Sequence, residues 1–327
     1  MVKISGPVKI SLNEIRLNDT RFQVSDLDSW EGLALSIRTI GLLQPPLVTK
    51  RRKGFVLVSG WKRVQACRKI GLSSIPIYVL DEPDDLKAFL IAVFDNAAVR
   101  EFSLLEKAQI ISKLGRFGME KSRILKEMIP LLQVPPTDFY LESYIKIAAL
   151  EPEAKRVIKE KSLPFSVVCM LVEFRPKDLK AILPILLPLG QNKQKEILVD
   201  LREISKKKDV SARKILGASE ILQILRAEKW PAIQKSERLR TALRKMRYPR
   251  LSAWQDHFNR SLKELCWPKE VKIEPSSFFE DEWLSVTFRF KNEREFKARL
   301  DKLQEMARKE GLKNLWDAEG RLKKNRA

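Results

Sequence analysis

From Ser103 to about Ala253 the sequence offers no convincing strand. That long run limits where β structure can form, because it leaves only the segments on either side. Within it, apolar residues recur at helical spacing. They predict helices over 103–116, 120–132, 137–149, 152–161, 165–173, 176–188, 192–206, 211–227 and 231–246. Ser103 with Glu106 makes a capping box for the first of them. A break at Arg247-Tyr248-Pro249-Arg250 precedes one more helix, to about Cys266.

The segment before this run alternates between strands and helices. Val8-Lys9-Ile10 reads as a short strand. Leu33, Ile37 and Ile40 recur at helical spacing, Gly41 sits where a helix C-cap belongs, and Gln44-Pro45-Pro46 prevents continuation. Leu47–Thr49 and Phe55–Val58 flank Arg51-Arg52-Lys53-Gly54, a hairpin with glycine in its turn. A helix from Trp61 to Ile70 is closed by Gly71. Ile75-Pro76-Ile77-Tyr78-Val79 then reads as a strand whose proline suits a sheet edge or a strand start. Asp84 or Asp85 caps a further helix carrying Leu86, Phe89, Leu90, Val93 and Phe94. Beyond the helical run the period returns to two, over Val271-Lys272-Ile273 and Trp283–Phe290 around a Phe278–Glu282 turn. A helix over 293–309 follows. The expected domains are residues 1–102, 103–250 and 251–316, with a basic tail over 317–327.

Charge narrows the function. The 327 residues hold 63 Lys and Arg against 42 Asp and Glu, a net charge of +21, which favours a polyanionic partner, nucleic acid first. Residues 200–250 alone carry fifteen basic residues against six acidic ones. Three scattered cysteines and a single histidine argue against disulfide frameworks and His-based metal sites. They also leave little for Ser-His or Cys-His catalysis. Cysteine usage predicts a reduced, cytosolic chain. No apolar run is long enough to span a bilayer, so no membrane role is expected.

The most informative short stretch is Val58-Ser59-Gly60-Trp61-Lys62-Arg63. A strand that stops at a glycine and opens into a helix gathers free backbone N–H groups at the positive end of the helix dipole. Lys62 and Arg63 add full charge there. Taken alone, the same pattern also describes an ordinary solvated helix start.

Together, the first hundred residues resemble the N-terminal domain of the ParB chromosome- and plasmid-partition family. The resemblance rests on Leu35-Ser36-Ile37, Gly41-Leu42-Leu43-Gln44-Pro45, Val56–Val58, Gly60-x-Lys62-Arg63-x-x-Ala66 and Leu72–Pro76. Asp95-Asn96, Arg100 and the helix start at Ser103 complete it. It covers residues 8–110 closely and 110–175 loosely. It implies an α+β protein with an N-terminal ParB/sulfiredoxin-like α/β domain, an all-helical middle and a small C-terminal α+β domain. The middle would hold a helix-turn-helix at about 120–150, where Val134-Pro135-Pro136 separates two expected helices. The function implied is DNA-binding partition, with a pocket for cytidine triphosphate (CTP) and Mg2+. The implied partners are DNA, a partition ATPase and a second copy joined through the C-terminal domain. The implied location is cytoplasmic and nucleoid-associated. The pocket residues carried over by this resemblance are Ser36, Gly41, Gln44, Gly60, Trp61, Lys62, Arg63, Asn96 and Arg100, with Asn96 reaching the magnesium.

Two departures shape that reading. Trp61 stands where the family's phosphate motif carries a glutamate tied to hydrolysis. No carboxylate of that motif is left to orient a water, and at most weak CTP turnover is expected. Arg100 is displaced by one residue from the family's common spacing, where Val99 stands. Trp61 itself either stacks on a base or ribose or packs under the hairpin. For DNA, the helix from Thr137 would be the recognition helix, offering Thr137, Ser143 and Lys146 beside the acids Asp138 and Glu142. Phosphate contacts are expected from Lys206, Lys207, Lys208, Arg240 and Arg244, although a solvated basic face has the same composition. Two other readings stand beside partition. One is a DNA-binding regulator or adaptor without nucleotide turnover. The other is an enzyme on the same fold: a sulfiredoxin-like one needs a cysteine where Trp61 stands, and a nuclease needs a cluster of acidic ligands.

Overall fold

The computed structural model describes residues 3–26, 31–81, 83–275, 283–309 and 315. The chain divides into two compact units, Met1–Leu183 and Pro184–Ala327.

The first unit opens with β1 (Ile4–Ser11), α1 (Glu31–Ile40), β2 (Leu47–Arg51), β3 (Gly54–Ser59), α2 (Trp61–Lys69), β4 (Ser74–Leu80) and α3 (Asp85–Ala97). The strands form one mixed sheet in the order β1-β4-β2-β3. β2 and β3 are the expected antiparallel hairpin, β1 is antiparallel to β4, and β4 is parallel to β2. β4 therefore lies inside the sheet, not at its edge. Pro76 is tolerated there because β2 pairs with β4 only from Tyr78 onward. Beside the proline there is just β1, with Lys9 opposite. Ala34 and Ile37 of α1, with Val64 and Cys67 of α2, close over Val48, Leu57, Ile75 and Ile77 of the sheet. Asp84, not Asp85, caps α3 by accepting the Lys87 N–H at 2.7 Å.

Helices follow: α4 (Leu104–Arg116), α5 (Lys121–Arg123), α6 (Ile129–Leu131), α7 (Asp138–Ala148), α8 (Pro152–Glu160), α9 (Phe165–Leu171) and α10 (Pro176–Leu186). α5 and α6 are two ends of one expected helix, joined by a π-turn over Ile124–Met128. Pro130 lies just beyond that turn and has no N–H to give the ladder. Ser103 and Glu106 form the expected capping box at the start of α4.

The second unit contains α11 (Gln191–Lys208), α12 (Ala212–Leu216), α13 (Ser219–Arg226), α14 (Ala232–Arg247) and α15 (Pro249–Glu264). It ends with β5 (Val271–Pro275), β6 (Leu284–Phe288) and α16 (Glu293–Arg308). The single helix expected over 211–227 is broken into α12 and α13 because the chain becomes extended at Ala218, with φ −63° and ψ 142°. β5 and β6 pair antiparallel, Val271 opposite Phe288. Phe288 and Phe290 set their rings 5.9 and 4.9 Å from that of Phe296 on α16. The turn expected over 278–282 and the basic tail over 317–327 lie outside the described residues. Among the described residues, no strand falls between β4 and β5, and no helix is long and apolar enough to cross a membrane.

Candidate nucleotide pocket and basic surfaces

β3 ends at Ser59 and α2 begins at Trp61, so Gly60 alone must turn the chain. It does so at φ +95°, in the left-handed region, where a Cβ would lie 2.8 Å from the Pro46 Cβ. Glycine is what lets the loop before β2 approach the helix start this closely. Arg63, one turn into α2, clasps that loop. Its Nη1 donates to the carbonyl oxygens of Gln44 at 2.8 Å and Pro45 at 3.3 Å. Burial pushes the Arg63 guanidinium below its ordinary value, and the charge of Asp95 on α3 opposes that push. Asp95 also accepts a hydrogen bond from the Ser59 hydroxyl. Gln44, Gly60, Arg63 and Asp95 are thereby gathered into one cluster, with Lys62 half-buried at the same first turn. Ser36 is exposed on α1, and Gly41 caps that helix by donating its N–H to the Ile37 carbonyl.

Asn96 and Arg100 belong to a second cluster at the end of α3. The Asn96 amide donates to the Ala92 carbonyl at 2.8 Å and accepts from the Ser25 hydroxyl at 3.2 Å. Arg100 makes a two-pronged pair with Glu106, at 2.8 and 3.0 Å, and reaches Ser25 at 2.7 Å. Burial pushes the Glu106 carboxyl up. Hydrogen bonds from Arg100, the Ser103 N–H and the Asp26 N–H outweigh it and hold the group below its ordinary value. Ser25, the bond from Ser59 to Asp95 and the ion-pairing role of Glu106 were invisible in the sequence. Ser25 lies in a loop without a pattern, and Glu106 announced itself only as a cap.

Of the two readings of Trp61, the structure supports packing under the hairpin and corrects its place among the pocket residues. Only 3% of it is exposed, and it packs with Ala34, Ile37, Leu57 and Cys67 in the core under the hairpin. Neither ring face is free to stack on a base. Its indole N–H is buried without a hydrogen-bond partner among the described residues.

Residues 3–97 match the ParB N-terminal domain. That stretch is ParB-like. The chromosome-partitioning protein Spo0J of Thermus thermophilus is 28% identical over 176 residues, 53% of this ParB-like chain and 62% of its relative. A probable chromosome-partitioning protein ParB of Borreliella burgdorferi is 25% identical over 171 residues, 52% of this chain and 63% of its relative. In each case the chain covers less than two thirds of the relative's length. A solved, C-terminally truncated ParB from Caulobacter crescentus, complexed with CTP-γ-S, is 21% identical. It covers 55% of this chain and 99% of its own, with a TM-score of 0.26, a likeness too slight to carry an argument.

The expected DNA-reading elements of this ParB-like chain are only partly presented. Thr137 and Lys146 are exposed at the start and on the outer side of α7. Ser143 is corrected: it is 7% exposed and hydrogen-bonds the Cys169 thiol inside the unit, out of reach of a groove. The acids of α7 are both engaged by Lys121, which lies 2.6 Å from Asp138 and 3.4 Å from Glu142. In the second unit, Lys206, Lys207, Lys208 and Arg244 are exposed. Arg240 is corrected: its guanidinium is committed to Glu196 and, at 2.7 Å, to Glu237, tying α14 to α11. Arg247 is likewise committed to Asp200 at 2.8 Å.

Proposed function

We propose that this ParB-like chain acts in DNA partition. In this reading it holds CTP with Mg2+ at the Gly60 helix start and holds DNA phosphates on exposed cations of its second unit. The observation that carries the reading is the cluster in which the Gln44 loop, Gly60, Arg63 and Asp95 converge. A left-handed glycine at a helix start, beside a partly buried arginine, is a physically sound seat for phosphate. The Asp95 carboxylate and the Asn96 amide oxygen are hard donors of the kind Mg2+ prefers, and the metal would neutralise triphosphate charge there. Lys62 and Arg63 would bind the phosphates. Asn96 is oriented for such a role by Ser25, which Arg100 in turn holds. Arg100 is a positioning residue in this scheme, because its own donors are spent on Glu106 and Ser25.

Hydrolysis is the weaker half of the reading. Trp61 occupies the position of the family's glutamate and is buried, and Asp95 is engaged by the Ser59 hydroxyl. A DNA-binding regulator or adaptor that holds nucleotide without turning it over is the second reading, and the burial of Trp61 favours it.

The test is equilibrium binding of fluorescent CTP, ATP and GTP with Mg2+, with and without duplex DNA, alongside phosphate release. CTP binding that weakens by about tenfold or more in Arg63→Ala and in Asn96→Ala supports the pocket. No binding of any nucleotide by the unaltered chain would sink it. Binding unchanged in both variants would sink the residue assignment. For DNA, neutralising six phosphates gives a slope of about −5 for log affinity against log salt. A flat response removes the electrostatic contact.

A further inference from the structure

A cavity of about 580 Å3 lies in the first unit between α4, the end of α7 and α8, away from the residues gathered around Gly60. Its charged lining is lopsided. Lys113 and Arg116 come from α4, and Lys155, Arg156 and Lys159 from α8. Among the described residues, Asp26 is the one carboxylate in the lining. Asp26 is spent on Lys159, 2.7 Å away. Among the described residues, Arg156 reaches only the exposed Glu153, at 3.7 Å, and Arg116 has no hydrogen-bond or ion-pair partner. Lys155 donates to the Ala148 carbonyl at 2.5 Å, which neutralises the negative end of α7 where it meets the cavity.

We infer that this cavity is a second anion site, taking a small polyphosphate. Cations converge on it from two walls, and among the described residues no carboxylate answers Arg116. A compact multivalent anion supplies the missing countercharge from a single centre. Burial together with the charge of Arg116 depresses both Lys113, to about 8, and Lys155, as expected where like charges crowd without a counterion. Lys113 distinguishes this site from a purely surface contact with DNA: it is drawn inward and donates to the Thr20 and Gln23 carbonyls, each at 2.8 Å, while Arg116 and Arg156 stand exposed at the rim. The volume lies within the range of small-molecule pockets, roughly 300–1,000 Å3. The ligand chemistry is a chain of phosphates, either free or carried on a nucleoside.

The experiment is calorimetric titration of the full chain with inorganic tripolyphosphate at fixed ionic strength. The variants are Arg116→Ser with Arg156→Ser, both at exposed positions where folding is not at stake, and Arg63→Ala in the other cluster. Saturable binding is expected in the unaltered chain and in Arg63→Ala, and weakening by about tenfold or more in the double variant. Competition by CTP in the Arg63→Ala background assigns a nucleoside-borne source, and its absence assigns free polyphosphate. The inference is overturned if tripolyphosphate binding is not saturable, or if the double variant binds as well as the unaltered chain. It is also overturned if Arg63→Ala alone abolishes binding, or if only duplex DNA affinity falls in the double variant.

Discussion

Removing the Glu106 carboxyl should damage the first unit heavily for the few atoms lost. Glu106 is 6% exposed and accepts Arg100 at 2.8 and 3.0 Å, the Ser103 N–H at 2.9 Å and the Asp26 N–H at 3.1 Å. Glu106→Ala strips a capping-box acceptor, worth about 1 kcal/mol. It also strands a half-buried guanidinium, for which breaking a fully buried pair would cost roughly 3–5 kcal/mol. The Arg100 side chain remains 32% exposed, so water recovers part of that cost. The expected loss is about 3 kcal/mol, on the order of 10 °C in melting temperature for a unit of this size. Thermal unfolding by circular dichroism gives the total, and amide exchange along α4 and 19–26 localises it. A double-mutant cycle with Arg100→Ala should show a coupling of about 2 kcal/mol. Because the Glu106 carboxyl is held below its ordinary value, its contribution is complete at neutral pH. It fades as acid carries the pH down through the folded value, and Arg100→Ala should flatten that fade. A loss below about 1 kcal/mol, or a coupling indistinguishable from zero, would refute the view that this pair braces the end of α3.

Three further outcomes are expected. Gly60→Ala forces a Cβ 2.8 Å from Pro46 at φ +95°, so it should cost roughly 2 kcal/mol or more and weaken CTP binding. A stable variant with unchanged nucleotide affinity, measured by the same titration, would show that the close approach is dispensable. Trp61→Phe removes a buried N–H without a partner and should move stability by no more than about 1 kcal/mol, whereas Trp61→Ala should cost about 3–5 kcal/mol. A selective loss of CTP affinity in the stable Trp61→Phe would return the indole to the pocket. Burial and Arg116 push Lys113 down to about 8 from 10.5, so the unfolded chain binds more protons between those values and stability should rise with pH there. The rise should vanish in Lys113→Met when unfolding is followed from pH 7.5 to 10; a fall in the unaltered chain contradicts the assignment.

What the sequence disclosed was local. Gly54 between two apolar runs, Gly41 after the Ile37 turn, and Ser103 before Glu106 each specify their element through neighbours only a few residues away, and each was legible. The convergence on Gly60 was legible in part, because the strand-glycine-helix order is local although the approach of Pro46 is not. Ser143 and Arg240 were misread, and Trp61 was left between two readings, for one reason. Their roles depend on what lies across the fold: the Ile37 and Leu57 side chains, the Cys169 thiol and the Glu196 carboxylate. Composition marks an arginine as basic but cannot say that two glutamates already hold it. Pro76 belongs with these, since its tolerance inside the sheet depends on where β2 begins to pair.

The clasp between Arg63 and the Gln44 carbonyl bears on timing. A phosphate that takes the Arg63 nitrogen leaves that carbonyl without its donor, so occupancy and order in the loop before β2 trade against each other. Amide exchange at Leu42 and Leu43 should then quicken when ligand arrives, with no bond in the ligand broken. If the proposed pocket holds nucleotide without turning it over, the return of the clasp would wait on departure of intact ligand. The clock would be a dissociation rate, set by how strongly one backbone oxygen competes for one guanidinium.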